Sequence, residues 1–263
     1  MIIIKIGGGA GLNLAGIVQD LKRLEEGFVI VHGANAARDR LAEALGQPKK
    51  VVTSVSGYSS VLSDEALIDQ MMMAYAGLRN KRIVELCHQH GLNAVGLCGL
   101  DGKLIEGVRN KGIRVYEAGK LKILRDYSGK PERVNQSLLL LLLDQGYVPV
   151  LTVPIIDEQN RAINTENDDV VRVLQKALQA HTVIHLIEAP GFLENKDDET
   201  TLVPRISVPE LEAREQQVEG RMKRKILAIR KLFDQGVSRV ILADGRGEHP
   251  VLDGLSGKGT VIE

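Results

Sequence analysis

Short apolar runs alternate with longer helical patterns along most of this 263-residue chain, and this alternation restricts its fold more than any other feature. Strands are predicted at residues 2–6, 28–31, 94–97, 148–153, 182–186 and 239–242. Helices are predicted at residues 14–26, 36–45, 64–90 with an interruption near Gly77, 136–145, 169–180, 208–217 and 221–235. Strands separated by helices are typical of parallel sheets, because each parallel neighbour requires a long crossover connection. The pattern therefore predicts an α/β protein with a mainly parallel sheet.

The alternation stops between residues 99 and 134. Asp101-Gly102 is a typical hairpin signal, and four more glycines, at positions 107, 112, 119 and 129, separate short segments. We therefore expect small strands and loops here instead of another helical unit.

The composition is typical of a soluble globular protein, with 44% apolar and 26% charged residues. The 34 basic residues balance 34 acidic ones, so no excess of positive charge favours nucleic acid as a partner. The longest apolar run, residues 138–143, is too short to cross a membrane, and no export signal is recognisable. Cys87 and Cys98 match no metal or redox motif, and we expect both to be small buried side chains. These features predict a cytoplasmic enzyme or binding protein without a membrane or nucleic-acid partner.

Glycines follow the first two predicted strands. Gly7, Gly8 and Gly9 come after the strand that contains Lys5, and Gly33 comes after the second strand. In parallel sheets, ligands bind beyond the carboxyl ends of the strands, where helix N-termini offer unpaired N–H groups. Two such turns side by side would suit a polyphosphate, and tight strand-to-helix turns are the alternative. The chain lacks both the GxGxxG motif and the P-loop motif, so neither of these common nucleotide sites is predicted.

Several motifs occur in the order that is typical of the amino acid kinase family: IIIKIGGG, VIVHGAN, AVGLCGLDG, YVPVLTV, INTENDD and GRMKRKILAI. The chain resembles that family from residue 2 to about residue 262. It is similar to acetylglutamate kinases, and more closely to a lysine-biosynthesis branch that phosphorylates 2-aminoadipate held on a small acidic amino-group carrier protein. The matches to that branch are HGANAARDRL, TSVSGYSS, AYAGLRNKR and GVRNKGIRV.

The resemblance implies a three-layer α/β/α sandwich with a mainly parallel central sheet, which is the amino acid kinase fold. It also implies two lobes in one continuous domain. Residues 1–160 would bind the carboxylate substrate and the carrier, and residues 161–263 would bind ATP. The family commonly forms homodimers through the helix that corresponds to residues 64–76, where residues 71–73 are methionines. These methionines offer an apolar surface, although they could equally belong to the core.

The activity that the resemblance implies is transfer of the γ-phosphoryl group of ATP to a side-chain carboxylate. A carboxylate is already ionised at neutral pH and needs no general base, so the reaction depends on positioning and fixed positive charge. Lys5 and Lys225 match the two catalytic lysines of the family, and Asp168 matches the aspartate that holds them. From the residues alone, Lys225 could lie on a solvated helix face and Asp168 could cap a helix. Mg²⁺ is expected with ATP, held by the phosphates and by no protein side chain.

Further residues match the binding positions of the family. Those expected at the phosphates and the rest of ATP are Gly7, Gly8, Gly33, Glu188 and Gly191. Those expected at the amino acid substrate are Ala34, Asn35 and Asn164.

Three positions depart from the family pattern. Val61 stands where an arginine binds the α-carboxylate of the substrate, and valine cannot donate to a carboxylate. Ile187 and Glu188 replace a Thr-Asp pair on the nucleotide side, and Glu166 replaces an asparagine. We therefore expect altered substrate contacts around intact catalytic residues.

Residues 109–133 carry eight basic and three acidic side chains, although the chain as a whole is neutral. This net charge of +5 lies beside the expected substrate site. It would attract an acidic carrier protein, whereas a small dianion needs no surface so broad. The residues expected to contact the carrier are Arg109, Lys111, Arg114, Lys120 and Lys122. The alternative is a merely solvated charged face.

Three functions stay open. The favoured one is a kinase for carrier-linked 2-aminoadipate or glutamate, in lysine or arginine biosynthesis. The second is an N-acetylglutamate kinase that acts on the free small molecule. The third is a nucleotide-binding regulator with little turnover.

Overall fold

A computed structural model describes residues 1–55, 59–117, 120–218 and 220–263. Its strands are β1 (Ile2–Ile6), β2 (Phe28–His32), β3 (Val51–Thr53), β4 (Ser59–Val61), β5 (Ala94–Cys98), β6 (Ile105–Arg109), β7 (Ile113–Glu117), β8 (Lys120–Leu124), β9 (Gly129–Val134), β10 (Val148–Thr152), β11 (Ile155–Ile156), β12 (Ala162–Ile163), β13 (Thr182–Ile187), β14 (Arg205–Ile206), β15 (Arg239–Asp244) and β16 (Thr260–Ile262). Its helices are α1 (Leu14–Leu21), α2 (Asn35–Ala44), α3 (Glu65–Met71), a π-helical segment (Met72–Arg79), α4 (Asn80–Gln89), α5 (Gln136–Asp144), α6 (Asn167–Leu178), α7 (Leu211–Gln217), α8 (Gly220–Phe233) and α9 (Pro250–Leu255). Short 3₁₀ turns occupy Asp101–Lys103, Glu199–Thr201 and Val208–Glu210.

The largest sheet has eight strands in the order β14-β16-β15-β13-β1-β2-β10-β5. Every neighbouring pair is parallel except β15 and β16. Strand β1 lies inside the sheet, in a register that places Lys5 beside His185 of β13 and Val31 of β2. The prediction of an α/β protein with a mainly parallel sheet is confirmed.

Helices cover both faces of this sheet. Ile2, Ile4 and Ile6 enter a buried cluster with residues of α1, α4 and α9. Ile3 enters a second cluster with residues of α6 and α8 on the other face. Because side chains alternate along a strand, Lys5 is directed to the same face as Ile3. The expected three-layer α/β/α arrangement is therefore confirmed, and it places the lysine toward α6 and α8.

The segment between residues 99 and 134 forms small strands, as predicted. Strands β6 and β9 join β11 and β12 in a four-stranded sheet, and β7 pairs with β8 as an antiparallel hairpin. The hairpin predicted at Asp101-Gly102 is wrong. The Asp101 carboxylate accepts the N–H of Cys98, and the 3₁₀ turn that follows carries the chain from the central sheet into the second one.

The helix predicted at residues 64–90 is present without a break. Instead of the predicted interruption near Gly77, the chain changes to π-helical spacing over Met72–Arg79 and returns to α-helical spacing in α4. A π-helical turn is wider than an α-helical turn because its hydrogen bonds span one more residue. The side chains that follow it therefore point in a different direction around the helix axis.

The other differences concern element ends and short elements. Helix α1 ends at Leu21 instead of residue 26. Strands β3, β4, β11, β12 and β14 and helix α9 are not predicted, because two to six residues carry too little periodicity to be recognised. Cys87 and Cys98 are free and buried as expected, and burial raises the pKa of the Cys87 thiol to about 12. Among the described helices, none is long and apolar enough to cross a membrane.

Candidate active site

Lys5, Asp168 and Lys225 meet on one face of the central sheet. Nζ of Lys5 lies 3.2 Å from Oδ1 of Asp168, and Nζ of Lys225 lies 3.5 Å from Oδ2. The three come from β1, the first turn of α6 and α8, which are far apart in sequence. Side-chain exposure is only 11% for Lys5 and 13% for Lys225. Lys225 therefore does not lie on a solvated helix face, and both oxygens of Asp168 are directed to ammonium groups.

The charges of these three groups depend on one another. Burial alone would raise the pKa of Asp168, but Lys5 and Lys225 outweigh it and hold the pKa well below its ordinary value. Burial, followed by the positive charge of Lys5, lowers the pKa of Lys225 to about 8, although Asp168 opposes the shift. The site therefore holds two adjacent cations and one firmly ionised carboxylate, which is an arrangement suited to bind an anion.

His185 is a fourth group at this site, and the sequence analysis missed it. Its Nδ1 lies 3.8 Å from Oδ1 of Asp168, and the side chain is 1% exposed. Neither ring nitrogen has a hydrogen-bond partner within the described residues. Burial, followed by the charge of Lys225, lowers the pKa of His185 well below its ordinary value, so the ring is neutral. The sequence signal that could have identified His185 is a polar side chain within the apolar strand β13. Lys5 gives the same kind of signal within β1.

The two glycine turns lie against each other beyond the ends of β1 and β2. A Cβ placed on Gly8 would lie 2.7 Å from the backbone nitrogen of Asn35, and one on Gly33 would lie 3.0 Å from Cα of Gly8. Only glycine allows this approach. Gly33 N–H donates to the carbonyl of Ile6 and the Ala34 backbone bonds to Tyr75, whereas the N–H group of Gly8 has no partner within the described residues. The first turn therefore presents a free donor at Gly8, as a phosphate site requires.

Glu188 and Gly191 follow β13 but occupy different places. Oε1 of Glu188 accepts the N–H of Gly11 at 2.6 Å, and a side chain at Gly9 would overlap the Glu188 carboxylate. Glu188 thus lies over the first glycine turn. The nearest neighbours of a side chain at Gly191 would be Thr260 and Leu202, near β16. The structure therefore brings Glu188, and not Gly191, to the glycine turn.

The residues expected at the amino acid substrate lie on two segments, one at the start of α2 and one just before α6. Ala34 is buried, and Asn35 begins α2, where its side-chain oxygen accepts the hydroxyl of Tyr75. Asn164 precedes α6 and donates to Oγ of Ser63 at 3.1 Å. Their roles as substrate contacts stay predictions.

The residues expected to contact the carrier divide into two groups. Nε of Arg109 donates to the carbonyl of Asp126, and its guanidinium stacks 3.9 Å from the ring of Tyr127, so it supports its own chain. Lys122 pairs with Glu117 on the hairpin. Lys111, Arg114 and Lys120 are exposed and form no ion pair within the described residues, so they present the free positive charge of this surface.

The described residues contain no group of three His, Cys, Asp or Glu side chains arranged to hold a metal ion.

The model of the amino acid kinase family matches residues 1–244. A protein of Thermus thermophilus named LysW-aminoadipate kinase is 42% identical over 268 residues, covering all of both chains. An acetylglutamate kinase of Methanopyrus kandleri is 30% identical, again covering all of both chains.

A solved structure has a similar fold. The N-acetylglutamate synthase of Neisseria gonorrhoeae, complexed with coenzyme A and N-acetyl-glutamate, superposes with a TM-score of 0.79 at 21% identity. The match covers 99% of this chain and 58% of the synthase chain. At this identity the likeness concerns the fold alone.

Proposed function

This chain belongs to the amino acid kinase family, and from that premise we propose that it transfers the γ-phosphoryl group of ATP to the side-chain carboxylate of carrier-linked 2-aminoadipate. The observation that carries the proposal is the single carboxylate of Asp168 between two buried ammonium groups. The identity of 42% to a LysW-aminoadipate kinase over the whole chain supports the substrate and the carrier. The enzyme class is that of phosphotransferases with a carboxyl acceptor.

The residues of the site suit this chemistry. The acceptor carboxylate approaches the triphosphate as an anion, so the barrier is dominated by repulsion and by charge that develops on the transferring group. Lys5 and Lys225 provide fixed positive charge on either side of that group, and Asp168 keeps their separation constant. The free N–H group of Gly8 would donate to its oxygens, and the backbone at Ala34 lies beside it. No side chain has to remove a proton from the acceptor.

ATP and Mg²⁺ fit the residues present. The backbone turns at Gly7–Gly9 and Gly33 would hold the phosphates, since the absence of a side chain at Gly8 keeps open the space that such a side chain would fill. When bound with ATP, Mg²⁺ would neutralise phosphate charge. Glu188 is the carboxylate that lies over the first turn, and we propose that it meets the nucleotide through such a cation.

The wider assignments are also proposals. Residues 1–160 would bind the acceptor and its carrier, and residues 161–263 would bind ATP, with Gly191 in that second lobe. Met71 is buried, whereas Met72 and Met73 are 37% and 45% exposed, and this exposed pair supports a homodimer through the π-helical segment. We place the enzyme in the cytoplasm, in lysine or arginine biosynthesis.

A second candidate is phosphorylation of free N-acetylglutamate. Identity to an acetylglutamate kinase over the full chain favours it, and the acceptor chemistry is the same. The exposed cations on β7 and β8 favour the carrier-linked acceptor, because a free dianion does not require them.

An assay of ADP release tests the proposal. Purified enzyme and Mg·ATP receive carrier-linked 2-aminoadipate, carrier-linked glutamate or free N-acetylglutamate in parallel. Turnover that requires the carrier supports the proposal. Turnover with N-acetylglutamate alone would select the second candidate, and bound ATP without turnover would indicate a regulatory protein. The two carrier-linked acceptors differ by one methylene, so we expect a preference of only about 10- to 200-fold between them.

A further inference from the structure

Arg79 is the last residue of the π-helical segment, and its charge is only partly compensated within the described residues. Its Nε and Nη2 atoms are inaccessible to solvent and have no hydrogen-bond partner there. A buried guanidinium with unpaired donors is costly, and native structures normally pair such groups. A ligand oxygen would provide the missing partners.

Arg79 lines a cavity at the first glycine turn. Its lining includes Gly8, Gly9, Ala34, Ala37, Arg40 and Arg79. Glycine and alanine leave space, and the two arginines are the charged residues among those that line the cavity. Two cationic residues that line the same small space without an acidic residue in its wall favour an anion.

Local backbone structure adds to the positive potential. Helix α2 begins at Asn35, no side chain caps its N-terminus, and residues of its first turn, Ala36 and Ala37, line this space, so the positive end of the helix dipole lies beside it. Burial, followed by the charge of Arg40, lowers the pKa of Arg79, and the charge of Glu188 opposes this shift. The Glu188 carboxylate itself is bonded to Gly11.

The backbone next to Arg79 is held firmly. Nδ2 of Asn80 donates to the carbonyl of Val150 and to Nε2 of His32, and both of these residues lie on strands of the central sheet. The π-helical segment therefore ends at a fixed point, and Arg79 leaves it toward the glycine turn. Wide turns of this kind are frequent at functional sites.

We propose that Arg79, assisted by Arg40, binds an oxyanion of a substrate in the cavity beside Gly8. This inference rests on the proposed function. An acceptor linked through its amino group keeps two carboxylates, and only one of them reacts at Lys5 and Lys225. The other carboxylate matches the planar fork of a guanidinium, and a phosphoryl oxygen of ATP shares the same chemistry.

Kinetics of Arg79→Met and Arg79→Lys distinguish these two sources. If the anion is the acceptor carboxylate, Arg79→Met raises KM for the acceptor by at least ~10-fold and leaves the Kd of ATP unchanged. If the anion belongs to ATP, the Kd measured by calorimetry rises instead. Arg79→Lys should restore part of either loss, because lysine keeps the charge but not the fork. Arg82→Met, an exposed position three residues further along, is the matched control and should change neither value.

An acceptor whose non-reacting carboxylate is converted to an amide provides a second test. If the acceptor carboxylate is the anion, the natural enzyme should discriminate against this amide, and Arg79→Met should lose that discrimination. Unchanged KM and Kd in a folded Arg79→Met variant would overturn the inference. If Arg79→Met fails to fold, Arg40→Met carries the same test.

The outcome is separable from that of the proposed function. N-acetylglutamate also has two carboxylates. The KM of the natural enzyme and of Arg79→Met can therefore be compared with whichever acceptor the natural enzyme phosphorylates. If it phosphorylates neither, an unchanged Kd of ATP in Arg79→Met would overturn the inference, and a raised Kd would support it.

Discussion

Lys5 and Lys225 are bound by opposite oxygens of one carboxylate, at 3.2 Å from Oδ1 and 3.5 Å from Oδ2 of Asp168. The two ammonium groups would repel each other without it. Because each oxygen serves one lysine, the carboxylate sets the distance between two positive charges and leaves their remaining protons free for a ligand.

Removal of either ammonium group should abolish most of the turnover. We expect Lys5→Ala and Lys225→Ala each to lower kcat by at least ~100-fold, since each removes a charge that acts on the transferring group. Lys223→Ala, an exposed position on the same helix, is the control and should keep the natural rate. A near-normal kcat in either active-site variant would disprove its role.

Neutralising Asp168 should destabilise the protein as well as inactivate it. Asp168→Asn leaves two buried ammonium groups without their counter-ion, and we expect the free energy of unfolding in urea to fall by about 3–5 kcal/mol. Asp169→Asn should change it by less than about 1 kcal/mol, because Arg172 lies 3.9 Å away in a partly exposed pair. Adding Lys225→Met to Asp168→Asn should recover part of the loss, and no recovery would contradict this origin of the instability.

The pH dependence of turnover should report Lys225. Its pKa of about 8 means that the ammonium is charged below pH 8 and loses its proton above it, so kcat/KM should fall above about pH 8. Bound nucleotide adds negative charge and raises this pKa, so the corresponding fall in kcat should occur at higher pH. Lys225→Arg stays charged and should lose the alkaline fall in whatever activity it keeps. The same fall in Lys225→Arg would assign it to another group.

His32 should make the fold sensitive to acid. The ring is fully buried, with Nδ1 directed to the carbonyl of Gly33 and Nε2 to the amide of Asn80, which fits the neutral form. Burial lowers its pKa from 6.5 to about 3, so the unfolded chain takes up the proton first and stability falls as pH drops from 6.5 toward 3. In His32→Gln, the slope of unfolding free energy in this range should decrease by up to about 1.4 kcal/mol per pH unit. His88→Gln, at an exposed position, should leave the slope unchanged, and an unchanged slope in His32→Gln would refute the assignment.

The basic hairpin should matter only for a carrier-linked acceptor. Arg114→Glu with Lys120→Glu should raise KM for the carrier-linked substrate by about 10-fold or more and leave the Kd of ATP unchanged, because the charges attract an acidic protein. Added salt should weaken carrier-dependent turnover more than ATP binding. Lys22→Glu with Arg23→Glu gives the same change of charge at exposed positions that follow α1 and should have no such effect. Equal salt sensitivity of both processes would exclude this role of the hairpin.

Much of the architecture was predictable because its signals are local. The apolar run around Lys5 identifies an inner strand, and the glycines that follow identify a close approach of backbones. The alternation of strands and helices predicts the parallel sheet, and the ordered motifs indicate the family. These features depend on the periodicity and the conformational preferences of residues that are close together in the sequence, so they can be recognised from the sequence alone.

Other features depend on which distant segments pack together. His185 lies beside Lys5 only because β13 and β1 pair in one register, and Glu188 lies over Gly11 only because the same strand ends there. The direction of Arg79 depends on a π-helical turn, whereas its sequence neighbourhood indicates only an ordinary amphipathic helix. The sequence alone therefore determined the layers and the residues with suitable chemistry. Tertiary structure decided which of them share one site, because strand register and helix packing are set by contacts between residues far apart along the chain.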